Sequence, residues 1–313
     1  MQVLHSSDIK SREIDHLGHM NVRFYMERAQ RANKALMTAL GLGANVRAKQ
    51  GVRLVQKDSY TRYHREQFQG SVLAVKGGVL KADAERLSLY FELVNDAKAE
   101  VAATFIISAE LVDLATRTTL PLPAAALAAA LQAQVELPDY GRPRTIDLDP
   151  PTLDLAFEDV AGRLGEDHTD PMSRRIERVI EADECDAYGF LADDEAMSFG
   201  GWRMPRPSEM KNFGPMTFVS ETGHRLGWAS METRTVKVSQ PRAGETLCSL
   251  GAEIGLHSKV RHSRRWIFNT TTGRIISLND NVSVALDLDA RRSIEIPPNV
   301  RAQLEKRHLP EFA

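Results

Sequence analysis

The chain has 313 residues and a mass of 34.9 kDa, with 42% hydrophobic and 26% charged residues, a globular balance that excludes collagen-like, low-complexity and wholly disordered classes. At about 100 to 200 residues per domain, this length suggests two domains or one doubled domain. Forty Lys and Arg against 42 Asp and Glu give a formal charge of -2, which removes the global basic excess expected of a nucleic-acid binder.

The amino terminus, MQVLHSSDIKSREID, has neither the basic start nor the apolar run of about 7 to 15 residues that an export signal needs. After IDHLGHM, Asn21 is a candidate N-cap, and Tyr25, Ala29, Ala32, Leu36 and Leu40 recur at helical spacing. Gly41 supplies the stop. The result is a helix of about five turns whose small alanines allow it to lie close against a sheet.

From Val52 the pattern changes to alternating runs rich in β-branched and aromatic residues: VRLVQKDSYTRYH, SVLAVKGGVLKA, RLSLYFELVN and EVAATFIISAELVDL. One long helix followed by an antiparallel meander predicts an α+β unit over residues 1–135. Its trailing segment, PAAALAAAL, is far shorter than the roughly 20 residues needed to cross a bilayer and reads as a short helix. Residues 136–172 carry Pro138, Pro143, Pro150, Pro151 and Pro171 among many acids, the composition of a linker.

A second unit is expected over 173–313. It opens with CDAYGFLADDEAMSFGGW and a helix candidate from Asp193 to about Met204, interrupted by Gly200 and Gly201. The runs GWASMETRTVKVSQ, GETLCSLGAEIG, RRWIFNTT and RIISLNDNVSVALDL follow, then a short polar helix, RAQLEKRH. Three landmarks recur in order: Asp15 and Asp186 are 171 residues apart, while Gly70 and Gly244, and Pro123 and Pro297, are each 174 apart. The chain reads as a duplication.

The densest polar constellation is Asp15, His16, Gly18, His19 and Asn21 at the mouth of the first helix. A helix amino terminus offers free N–H groups and the positive end of the macrodipole, a ready site for a polarised carbonyl. Gly18 permits a sharp turn and close approach by a ligand. A carboxylate just ahead of such a terminus suits acyl transfer or hydrolysis. The alternative is a capped turn with no chemistry. Gly18 implies a turn and no fourth ligand is evident, so Asp15, His16 and His19 are not assigned to a metal. Cys185 and Cys248 form no disulfide framework, which favours a reducing cytoplasm.

The stretch D-H-L-G-H-M-N, followed by VRFYMERA, resembles the Asp-x-x-Gly-His-x-Asn motif of hotdog-fold acyl-CoA thioesterases of the 4-hydroxybenzoyl-CoA thioesterase type. The paired halves resemble double-hotdog members, in which one chain carries two tandem hotdog units. The resemblance spans most of residues 1–123 and is fainter over 175–298. It implies thioester hydrolysis with Asp15 as nucleophile or general base. The backbone N–H of Val22 would polarise the carbonyl, while His19 and Asn21 orient the water or Asp15. Gly18 and Tyr25 would border the substrate.

No cofactor is implied, since coenzyme A would arrive as part of a small-molecule acyl-CoA substrate. No nucleic acid or membrane partner is implied either, and exposed sheet edges would permit homo-oligomers. Within RHSRR, Arg264 and Arg265 offer guanidinium groups suited to CoA phosphates; a solvated strand edge is the commoner explanation of such a run.

The second unit departs from the motif. Asp186 and Gly189 remain, but Phe190 replaces His19, Ala192 replaces Asn21, and Asp193 falls where Val22 was. One working site per chain is expected, with Asp186 a relic or a cap. Trp202, Trp228 and Trp266 are read as core. The alternatives are a non-catalytic acyl-CoA binding module, a hotdog hydratase or dehydratase, and a thioesterase acting on acyl carrier protein. Hydratases of this fold resemble an Asp followed five residues later by His, and His19 is four after Asp15.

Overall fold

The computed structural model describes residues 1–15, 18–164, 176–191, 218–221 and 223–313. The chain divides into two units, Met1–Arg144 and Thr145–Ala313.

The first unit runs β1 (Gln2–Asp8), a 3-10 turn (Ser11–Glu13), α1 (Val22–Ala39), α2 (Ala44–Gln50), β2 (Val52–Tyr63), β3 (Val72–Ala82), β4 (Arg86–Asn95), β5 (Glu100–Asp113), β6 (Thr119–Leu120) and α3 (Ala124–Gln132). Its strands pair antiparallel in the order β1-β3-β4-β5-β2, with β6 on β5. α1 begins where the sequence places its cap: the Asn21 side chain accepts the Arg23 N–H at 3.0 Å. Its apolar stripe is buried, with Ala29, Ala32 and Leu36 at 0% exposure. They pack in one core with Val75, Leu89, Phe91, Phe105 and Ile107 of the sheet. Burying a residue such as Leu36 contributes about 1.5–3 kcal/mol. Gly41, at φ +74°, follows the helix.

The second unit runs α4 (Phe157–Leu164), β7 (Ile176–Val179), β8 (Phe218–Val219), β9 (Arg225–Lys237), β10 (Thr246–Leu256), β11 (Val260–Asn269), β12 (Arg274–Asp287), β13 (Arg292–Ser293) and α5 (Pro298–Glu305). Its order, β7-β10-β11-β12-β9 with β13 on β12, repeats that of the first unit. Register repeats too. Phe91 pairs with Gly77 and Phe105, and 174 residues on, Arg265 pairs with Gly251 and Asn279. Both halves place a glycine at positive φ before β3 and β10, Gly70 at +82° and Gly244 at +81°. The expected helix from Asp193, together with Trp202 and His16, lies outside the described residues.

The described part of the Pro-rich segment is tied down on both sides of residue 144. In the first unit the Tyr140 hydroxyl donates to Glu92 at 2.6 Å, and Arg62 donates to the carbonyls of Tyr140 and Arg142, each at 3.0 Å. In the second, the Glu232 carboxylate accepts the N–H groups of Thr145 (3.0 Å) and Ile146 (3.2 Å). Arg234 donates to the carbonyls of Asp147, Leu148 and Asp149 at 2.7, 3.1 and 2.9 Å. Prolines here mark extended chain whose carbonyls are bonded to side chains, not a loose tether. No described helix is long and apolar enough to cross a membrane.

Candidate active site

Asp15 sits in a closed turn. Its N–H donates to the His19 carbonyl and the Gly18 N–H donates to its own carbonyl, both at 3.0 Å, while Ile14 and Met20 form an antiparallel bridge. Gly18 lies at φ +82°, and a Cβ added there would meet nothing within 4 Å. Glycine is required by its dihedral and not by crowding.

This turn is fixed from three directions. The Met20 N–H donates to the Gln67 carbonyl at 2.7 Å and the Asn21 N–H to the Glu13 carbonyl at 2.9 Å. Beneath it, buried Arg28 of α1 donates to Glu13 at 2.7 Å and to the Asp8 carbonyl at 3.0 Å. Gln67, fully buried, accepts from Asn95 at 2.8 Å.

At the helix mouth the Asn21 amide donates to Asp15 Oδ2 at 3.3 Å. The His19 ring lies between two carboxylates, its Nδ1 3.9 Å from Asp15 and its Nε2 3.5 Å from Glu66. Both contacts are longer than ordinary hydrogen bonds. Asp15 and His19 are mostly shielded, with side-chain exposures of 15% and 14%, whereas Val22 is exposed. Among the described residues, no acceptor lies on the Val22 N–H. A carboxylate, an imidazole, an amide and an open helix N–H therefore converge within eight residues, the set needed to activate water and hold an oxyanion.

Tyr25 has a different place from the substrate-bordering one expected. It is buried, its hydroxyl donates to the Arg65 carbonyl at 3.1 Å, and its ring packs edge-on against Tyr63 at 5.5 Å. Burial raises its pKa above the ordinary value, so it stays a protonated donor pinning α1 to the segment after β2.

Arg264 and Arg265 lie in the second unit. The strand-edge reading of RHSRR is corrected: β11 is paired on both sides, by β10 and β12. Arg264 forms a two-pronged pair with Asp280 at 2.7 and 3.1 Å and also donates to the Phe312 carbonyl, leaving little of its fork for a phosphate. Arg265 points to the opposite face.

In the second unit the motif's remnant is a cap. Asp186 Oδ1 accepts the N–H groups of Tyr188 and Phe190 at 2.9 and 3.1 Å. Phe190 is buried beneath the Arg242 guanidinium at 4.0 Å. Trp266 is fully buried, while Trp228, half-buried, lies under the Arg261 guanidinium at 4.1 Å. Three groups with metal-binding atoms, His224, Asp287 and Asp289, also converge in this unit. Asp289 is engaged by Arg225 at 2.6 Å and Asp287 by the backbone of Asp289 and Ala290.

Sequence reasoning missed Glu66, Gln67 and Arg28. Glu66 and Gln67 were within reach through YHREQFQG, the stretch ending at Gly70, which marks the repeat. Arg28 stands next to the apolar stripe without belonging to its pattern.

Residues 9–131 match the family model of the thioesterase-like superfamily. Among curated proteins none matches the sequence. Over most of its length the fold is similar to that of solved thioesterases. One is a 12:0-ACP thioesterase from Umbellularia californica, with TM-score 0.62, 11% identity, and 90% of this chain and 93% of that one covered. Another is an acyl-ACP thioesterase from Bacteroides thetaiotaomicron, with TM-score 0.58, 9% identity, and 89% and 96% covered. The expected α+β fold with two antiparallel units is observed and is consistent with a double hotdog, while the long helix expected in the second unit lies outside the described residues.

Proposed function

We infer that this chain, whose residues 9–131 belong to the thioesterase-like superfamily, is a thioester hydrolase working from the Asp15 turn of its first unit. The observation that carries the assignment of residues is the placement of Asp15 beside the amino terminus of α1, held by the Asn21 amide at 3.3 Å.

In the reaction, Asp15 takes a proton from water as the water oxygen bonds to the thioester carbonyl carbon. The carbonyl π pair moves onto oxygen, where the Val22 N–H and the helix dipole stabilise it. Collapse of this intermediate breaks the C–S bond, and the proton held by Asp15 passes to sulfur, giving a carboxylic acid and a thiol. If Asp15 adds directly, a mixed anhydride forms first and water then cleaves it. Either route uses groups of the chain alone. Asn21 orients Asp15, and His19, flanked by Glu66, supplies a positive or donor face to the developing charge.

The substrate proposed is an acyl-CoA. A second reading, an acyl group on a carrier protein, is favoured by the whole-chain likeness to two acyl-ACP thioesterases. The two substrates present the same pantetheine thioester to the site. Thiol release from matched acyl-CoA and acyl-carrier-protein panels tests both. Turnover of either panel is expected, and the panel with the higher kcat/KM identifies the carrier. Absence of thiol release from both panels, by folded protein, contradicts the assignment.

A further inference from the structure

In the second unit, His224 before β9 meets Asp287 at the end of β12 and Asp289 just beyond it, one metal-binding atom of each lying within 4.8 Å of the other two. Backbone pairing brings them together. Asp287 stands opposite Leu226 of β9, and the Leu288 N–H donates to the Arg225 carbonyl at 3.0 Å. His224 closes the turn between β8 and β9: the Ser220 N–H donates to the His224 carbonyl and the Gly223 N–H to the Ser220 carbonyl, both at 2.9 Å, with Gly223 at φ +81°. The Asp15 turn has the same bonding pattern, with Gly18 at +82° ahead of His19.

Each carboxylate is oriented through one oxygen. Asp289 Oδ1 accepts the Arg225 guanidinium at 2.6 and 3.1 Å, and Asp287 Oδ1 accepts the N–H groups of Asp289 and Ala290, both at 2.9 Å. The second oxygen of Asp287 is placed differently. Its side chain is 8% exposed, and among the described residues Oδ2 accepts no hydrogen bond and faces His224 Nδ1 at 3.5 Å. Arg225 pairs with Asp289 and not with Asp287. A carboxylate oxygen this deep, without a donor and close to a second carboxylate, is costly until a cation meets it. His224 and Asp289, at 58% and 47% side-chain exposure, keep the approach open to solvent.

We propose that His224, Asp287 and Asp289 bind a divalent transition ion of the zinc class, which ties the β8–β9 turn to the end of β12. An imidazole nitrogen beside two carboxylates suits such an ion, whereas calcium and magnesium take sets of oxygen ligands. Three protein ligands leave a further position for water. Arg225 and the two backbone N–H groups are the outer partners that hold the ligating carboxylates. The ion has no part in the Asp15 chemistry, so the test reads binding and not turnover.

The chain is stripped of metal with a chelator and titrated calorimetrically with zinc chloride, and separately with calcium chloride, as the natural protein, His224→Ala and Asp287→Asn. Zinc held anywhere else on the chain is bound alike by all three, so this site appears as their difference. A saturable zinc site is expected in the natural chain and is absent from His224→Ala. In Asp287→Asn, whose amide oxygen still accepts the two N–H groups, zinc binds at least about tenfold more weakly, the low end of what losing even an outer partner of a ligand costs. Where that variant does not fold, Asp289→Asn carries the same expectation. No saturable zinc binding by the natural chain, unchanged zinc binding in the folded variants, or calcium bound as tightly as zinc overturns the proposal.

Discussion

Asn21 performs two tasks through the two atoms of one amide. Its oxygen caps α1 through the Arg23 N–H, and its nitrogen donates to Asp15. The tasks separate by substitution. Asn21→Ala loses both, with a stability cost of about 1 kcal/mol. Asn21→Asp keeps an acceptor for the cap but sets a second carboxylate against Asp15, so stability should hold within about 0.5 kcal/mol while kcat/KM falls about tenfold or more. Urea denaturation beside steady-state kinetics reads both, and a fully active Asn21→Asp would detach this amide from the chemistry. Residues like Asn21 and Gly18 were legible because a cap and a positive φ are local demands. Glu66 and Gln67 approach the turn from almost fifty positions away, and the repeat-marking Gly70 close behind them is the one local sign of their place.

The element that matters most is the joint between the Ser11–Glu13 turn and α1. Arg28 holds it by pairing with Glu13 while both are buried, with side-chain exposures of 4% and 9%. Arg28→Met would leave the Glu13 carboxylate uncompensated, at a cost of about 3–5 kcal/mol by urea denaturation. Removing both charges in Glu13→Gln with Arg28→Met should recover most of that loss. A single variant as stable as the natural chain would show that the pair does not hold the joint. The second unit keeps the glutamate, Glu184, but meets it with Arg178 from β7 at 2.6 Å. The duplication therefore shows in the acid and is hidden in its cation. Periodicity placed α1 correctly since burial on one side imposes it. It gave no account of Arg28, because a long side chain can lie along the helix and bury its head at the joint.

For the whole molecule, strand grammar and three landmarks in order were enough to expose two α+β units, because each repeat must rebuild the same turns and sheet. Edge and centre of a sheet leave no such mark. RHSRR reads as an exposed edge, yet β11 is paired on both sides, and its polar side chains find partners such as Asp280 for Arg264. The Pro-rich segment likewise reads as a linker until the carbonyl partners supplied by Arg62 and Arg234 are seen.

The proposed function places the chemistry in one repeat only. In the first unit the Asn21 amide donates to Asp15, while in the second Asp186 accepts the N–H groups of Tyr188 and Phe190. The most direct measurement is the rate of thiol release by Asp15→Asn and Asp186→Asn, each matched to the natural chain for folding. Asp15→Asn should lose at least about two orders of magnitude in kcat/KM, roughly 2.7 kcal/mol of barrier, with Asp186→Asn near the natural rate. Full activity in Asp15→Asn, or a loss confined to Asp186→Asn, would contradict the account.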